Sequence, residues 1–134
     1  QDTVGVRVPD HVVALALLGA FEKAGGKGVA APSANRFGHV SPTTSAAVIE
    51  ELSDYLSNDD LVLDGGACDV GVESTIIDCT GDLPNILRPG AITMAMIRES
   101  TDISCTSNEQ LEIRVSGTLE NHYAPKAKVF LNQR

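Results

Sequence analysis

Cations are scarce in this 134-residue sequence, where 10 Lys and Arg stand against 18 Asp and Glu for a formal net charge of −8. Broad, salt-driven binding to a nucleic-acid backbone needs clustered cations and is disfavoured, which leaves room only for a small local cationic pocket. Cysteine is as sparse. Cys68, Cys79 and Cys105 are odd in number, far apart and without a Cys-x-x-Cys pair. Neither a disulfide framework nor a zinc site is suggested, and a reducing, cytoplasmic setting is expected. No apolar run approaches the ~20 residues of a membrane-crossing helix, so no membrane partner is expected. The opening QDTVGVRVPD lacks a basic stretch followed by an apolar core and so shows no secretory address. There is no Gly-x-x-x-x-Gly-Lys-Ser/Thr loop, no Gly-x-Gly-x-x-Gly and no nucleophile elbow, which excludes the common nucleotide-binding and hydrolase signatures.

The length suits one domain, and 43% hydrophobic residues is ordinary for a globular core. Val4, Val6 and Val8 alternate like a half-buried strand, and Pro9-Asp10 offers a helix start before HVVALALLGAFEKA, which Gly25-Gly26 would end. Gly28 to Ala31 is short and apolar, like a buried strand. Ser41-Pro42 pairs a capping hydroxyl with a proline suited to a first helical turn. The apolar stripe of Val48, Ile49, Leu52 and Leu56 behind it predicts a helix ending near Ser57-Asn58. Leu61 to Leu63, Ser74 to Cys79 and Ile86 to Arg88 read as further strands, broken by Asp64-Gly65-Gly66 and closed by Pro89-Gly90. Thr93 caps a short helix, MAMIRES, ahead of a polar connector. Strands and helices interleave, so the expected organisation is an α/β domain over 1–99, an interdomain connector over 100–127 and the first residues of a truncated domain over 128–134.

The loop APSANRFGHVSPTT, residues 31–44, carries more turn chemistry than a plain connection requires. The helix start behind it presents unsatisfied N–H groups, and with the Ser41 and Thr43 hydroxyls it makes a natural anion site for phosphate. The plainer alternative is that Ser41 only caps the helix while Ser33 and Asn35 only shape a turn. In VGVEST, Gly71 allows close backbone approach while Ser74 projects a hydroxyl from a strand entry; the alternative is a bulge, with Glu73 a solvated charge. Arg88, followed by Pro-Gly, would hold a guanidinium at a sheet end where phosphates or carboxylates are gripped, or would lie on the surface. His122-Tyr-Ala-Pro125 offers a hydrogen-bonding, stackable lid or an aromatic anchor for a linker. His11 and His39 have no partner at ligand spacing and read as structural.

Taken together, APSANRFGHVSPTT, LVLDGGACDVGVESTIID, ILRPGAI and HYAP resemble the threonylcarbamoyl-AMP synthases of the YrdC-like family in its longer, two-domain form. The resemblance covers residues 4 to about 98 and the connector at 117–131. It implies a partial YrdC-like α/β domain, a twisted mixed sheet with flanking helices. It also implies that L-threonine, bicarbonate and ATP are joined into threonylcarbamoyl-adenylate with release of pyrophosphate, for modification of the adenosine beside the anticodon of certain tRNAs. By the same resemblance Ser33, Asn35, Ser41 and Arg88 would bind ATP, His122 and Tyr123 would close that site from the connector, and Ala31 and Ser74 would hold threonine. Mg²⁺ is expected with ATP, a weak tRNA contact is compatible with the family, and no covalent nucleophile is implied. The family's other half, with a Lys-x-Arg motif for the triphosphate, has no counterpart in these residues, so the chain alone is expected to be inactive. The rival readings are a related carbamoyl-transfer domain and a non-catalytic RNA-binding module, against which the −8 charge counts.

Overall fold

A computed structural model describes residues 2–107. They fall into two compact units, one holding residues up to 35 together with 41–69, the other holding 36–40 with the chain from 70 onward.

In the first unit, helix α1 spans Val12–Lys23 and starts two residues beyond the expected Pro9-Asp10 boundary. His11 is its N-cap: Nδ1 accepts from the Val13 N–H at 3.3 Å while Nε2 lies 3.2 Å from the Gly65 carbonyl. One ring nitrogen accepting and the other donating requires the neutral imidazole with its proton on Nε2. A histidine without ligand-spaced partners thus ties a helix start to the Asp64-Gly65-Gly66 turn. The helix closes at Ala24, and Gly25 follows at φ 93°, a left-handed conformation that suits glycine.

Helix α2 spans Ser45–Leu52, and its cap differs from the sequence expectation. Thr44, extended at φ −141° and ψ 157°, accepts from the Ala47 N–H at 3.2 Å and is the N-cap. The chain becomes helical only after Thr44, so the Ser41 hydroxyl lies outside the first turn. The far end also comes early. A 3-10 turn over Ser53–Tyr55 tightens the chain, and Asp60 Oδ2 accepts from the Ser57 N–H at 2.8 Å and its hydroxyl at 2.7 Å. That side-chain ring competes with helix continuation toward Asn58.

The expected strands at Val4–Val8, Gly28–Ala31 and Leu61–Leu63 are not strands here. A strand exists through its ladder, and none of these runs has a hydrogen-bonded partner among the described strands. Val4, Val6 and Val8 accordingly stand 84%, 78% and 91% exposed, so the alternation that suggested a buried face has no face to bury against in the described residues.

The second unit contains the sheet. Strands β1 (Ile76–Asp78) and β2 (Asn85–Arg88), both expected as strands, run antiparallel, with Ile77 opposite Ile86 and Asp78 opposite Asn85. Ile76 pairs with Arg88, so the register slips between Ile76 and Ile77 and β2 carries an extra residue. Such a bulge bends the strand and re-aims the side chains beyond it, here that of Arg88. Asn85, only 6% exposed, accepts from the Thr106 hydroxyl at 2.9 Å, and a parallel bridge joins the two residues. Helix α3 (Met94–Thr101) is capped by Thr93 as expected and ends at Asp102, φ 58°. The α/β class holds, and in the described residues its sheet is this bulged ladder with one parallel bridge.

The corrected cap is testable. Thr44→Ala should lower stability by about 0.5–2 kcal/mol, whereas Ser41→Ala should cost clearly less. Urea denaturation followed by circular dichroism at about 222 nm, where the helical signal is strong, compares the two.

Candidate functional site

The candidate residues divide between the two units. In the first, Ala31 and Ser33 are exposed, and Asn35 and Ser41 are half-buried. The Ser41 hydroxyl donates to Asn35 Oδ1 at 3.5 Å, so two residues six apart within the loop are joined by their side chains. Between them, in the second unit, the chain makes a tight turn in which the His39 N–H donates to the Arg36 carbonyl at 3.0 Å, with Gly38 at φ 82°. Asp64 stands by the start of α2. Its carboxyl is held below the ordinary carboxylate value first by the Gly66 N–H, at 3.0 Å, and then by the Ser45 hydroxyl.

In the second unit the structure brings Ser74 and Arg88 together. The Arg88 Nε and Nη2 groups donate to the Ser74 carbonyl at 3.0 and 2.9 Å, and Nη2 also lies 3.3 Å from Ser74 Oγ. Arg88 is therefore no loose surface cation. Its side chain is 11% exposed, and Glu73 Oε2 lies 3.7 Å from Nη2. Glu73, read from the sequence as a solvated charge, is instead 29% exposed and paired with Arg88. Ser74 itself is exposed, with its carbonyl held by Arg88 and its hydroxyl oxygen beside the same Nη2.

Two more contacts fasten the same segment. A methyl group on Gly90 would come within 2.5 Å of the Glu73 carbonyl oxygen and 2.8 Å of the Ser74 carbonyl carbon, and would also strike the Thr75 nitrogen. Only glycine lets the two backbones meet so closely. One residue beyond Ser74, the Thr75 hydroxyl donates to the Ile92 carbonyl at 2.7 Å. Residues 88–92 thus clamp residues 73–75 by a guanidinium, a close backbone approach and a hydroxyl. Sequence reading found Ser74 and Arg88 but missed Glu73, Thr75 and Gly90, because a fourteen-residue separation leaves no local pattern (|i−j| = 14). The nearest signal was a glycine directly after Arg-Pro.

His122 and Tyr123, expected to close the ATP site, lie outside the described residues. Among the described residues no group of three or more His, Cys, Asp or Glu gathers to hold a metal ion. No helix among them is long and apolar enough to cross a membrane. The hollow of about 520 Å³ in the first unit is lined by Leu18, Phe21, Glu22 and residues 25–28, none of them a candidate ligand.

The Sua5/YciO/YrdC family, described as telomere recombination, matches residues 1–90. A threonylcarbamoyl-AMP synthase of Schizosaccharomyces pombe is 39% identical over 98% of this chain and 33% of its own, and one of Bacillus subtilis is 38% identical over 94% and 36%. The crystal structure of P. abyssi Sua5 complexed with L-threonine superposes with a TM-score of 0.73 at 34% identity, over 96% of this chain and 37% of that one. The chain therefore spans about a third of the length of these relatives.

Asp64 gives this site a pH signature. Its folded pKa is depressed, so its contribution to stability is complete above the unfolded value of about 3.9 and is lost as pH falls through the folded value. Asp60 and Asp78, lowered by the Ser57 and Thr80 hydroxyls, act with the same sign. Thermal melts should show a smaller drop in Tm between about pH 6 and about pH 3 for Asp64→Asn than for the wild type.

Proposed function

The chain belongs to the Sua5/YciO/YrdC family, and on that premise we propose that it serves the synthesis of threonylcarbamoyl-AMP from L-threonine, bicarbonate and ATP. The observation that carries the reading is the clamp on Ser74, an exposed residue whose carbonyl accepts two donors from Arg88 and whose neighbour Thr75 is fastened to Ile92. The relative solved with L-threonine, 34% identical over 96% of this chain, supports threonine as the ligand.

The chemistry asks for placement. The threonine amine and bicarbonate condense to a carbamate with loss of water, a carbamate oxygen attacks the α-phosphorus of ATP, and pyrophosphate leaves. Neither step needs a covalent nucleophile from the protein, so holding the reactants in line and neutralising charge carry the rate. Ser74 takes threonine. Ser33, Asn35 and Ser41 take ATP. The described residues do not fit a protein-held metal, so Mg²⁺ arrives with the ATP phosphates and no step is assigned to it. The product then serves tRNA threonylcarbamoyladenosine formation in the cytoplasm, with at most a weak tRNA contact on a chain of this charge.

The test is pyrophosphate release by the intact protein, with ¹³C-bicarbonate to follow carbon into the adenylate (a label of mass ~13). Release that requires threonine, bicarbonate and ATP together supports the reading, and release from ATP alone, or none, overturns it. Ser74→Ala should weaken threonine use by about 1–3 kcal/mol, the cost of leaving a substrate group without its partner, while the KM for ATP changes less.

A further inference from the structure

Glu73 carries a carboxylate for which the proposed chemistry has no use. It stands 3.7 Å from Arg88 Nη2, the nitrogen that donates to Ser74 O and approaches Ser74 Oγ. With the two side chains 29% and 11% exposed, the pair is screened less than at an open surface. A guanidinium so withdrawn is costly without an opposite charge, and its long stem allows a swing toward water. The carboxylate makes the inward pose, with Nε and Nη2 both on Ser74, the stable one. Close backbone approach at Gly90 and the Thr75 hydrogen bond to Ile92 fasten the segment on either side of Ser74. The same negative charge also disfavours a phosphate close to Nη2 and so biases Arg88 toward the threonine side.

We infer that Glu73 is a positioning residue: it orients Arg88, and Arg88 in turn fixes the Ser74 hydroxyl that meets threonine. This rests on the assignment of Ser74 to threonine given above. The structural part stands on geometry alone.

Both parts are tested in the intact protein. Glu73→Gln should raise the KM for threonine about fivefold, the upper end for a partly exposed ion pair, while the KM for ATP stays level or falls. A general loss of structure would raise both and lower Tm. In a double-mutant cycle the effect of Glu73→Gln on the threonine KM should largely vanish in an Arg88→Ala background, because the inferred route runs through the guanidinium. Independent, additive effects, or an unchanged threonine KM in Glu73→Gln, would overturn the inference. The Arg88 Nε–H resonance, followed by NMR without substrate, should exchange slowly with water in the wild type and faster in Glu73→Gln; an unprotected wild-type signal, or no change on substitution, equally overturns it. If the wild type shows no threonine turnover, the functional reading fails and this resonance alone decides the role of Glu73.

Discussion

The grip of the Arg88 guanidinium on the Ser74 carbonyl is the interaction on which the candidate threonine site depends. It joins the end of β2 to the residues just before β1, over fourteen positions of sequence, with two donors on one oxygen. The bulge in β2 aims Arg88, Gly90 lets the backbones meet, and Thr75 fastens the far side through Ile92. Removing any one of these would leave Ser74 on a strand entry with more freedom than a substrate-positioning group tolerates. A fixed planar fork does this better than a flexible ammonium, which is why an arginine suits the position.

Charge is used sparingly. In a chain with 10 Lys and Arg, Arg88 is drawn inward beside a carboxylate and a serine, an arrangement suited to one small anionic or zwitterionic ligand and not to a polyanion. The first unit works with neutral groups: Ser41 on Asn35, Thr44 capping α2, His11 capping α1 and reaching Gly65. Hydroxyls, amides and helix-start N–H groups can meet phosphate oxygens without added charge, in keeping with the ATP role proposed for that loop.

Local signals in the sequence located much of this. α1, α3 and the two strands β1 and β2 follow from periodicity and turn residues, and the Thr93 cap was visible because a hydroxyl stood directly before a helical run. The α2 cap was misplaced because Ser41-Pro42 and Thr43-Thr44 offer rival hydroxyls, and only the backbone angles at Thr44 decide between them. The Val4–Val8 run shows the other limit: alternation reports which side chains could share a buried face, but a strand needs a neighbour, and the described residues provide none. Ser74 and Arg88 were both legible, as a strand-entry hydroxyl and a strand-end cation. Their contact was not, since it depends on the one-residue bulge and on Gly90.

The central claim is that threonine is held at the clamped Ser74. It is tested most directly by titrating L-threonine into the ¹⁵N-labelled intact protein (a label of mass ~15) and following backbone and arginine Nε resonances. The account predicts that the Ser74 and Thr75 amides and the Arg88 Nε–H shift together with one half-saturation concentration, and that D-threonine moves them far less. Saturable shifts confined to other residues, with Ser74 and Arg88 unmoved, would contradict it.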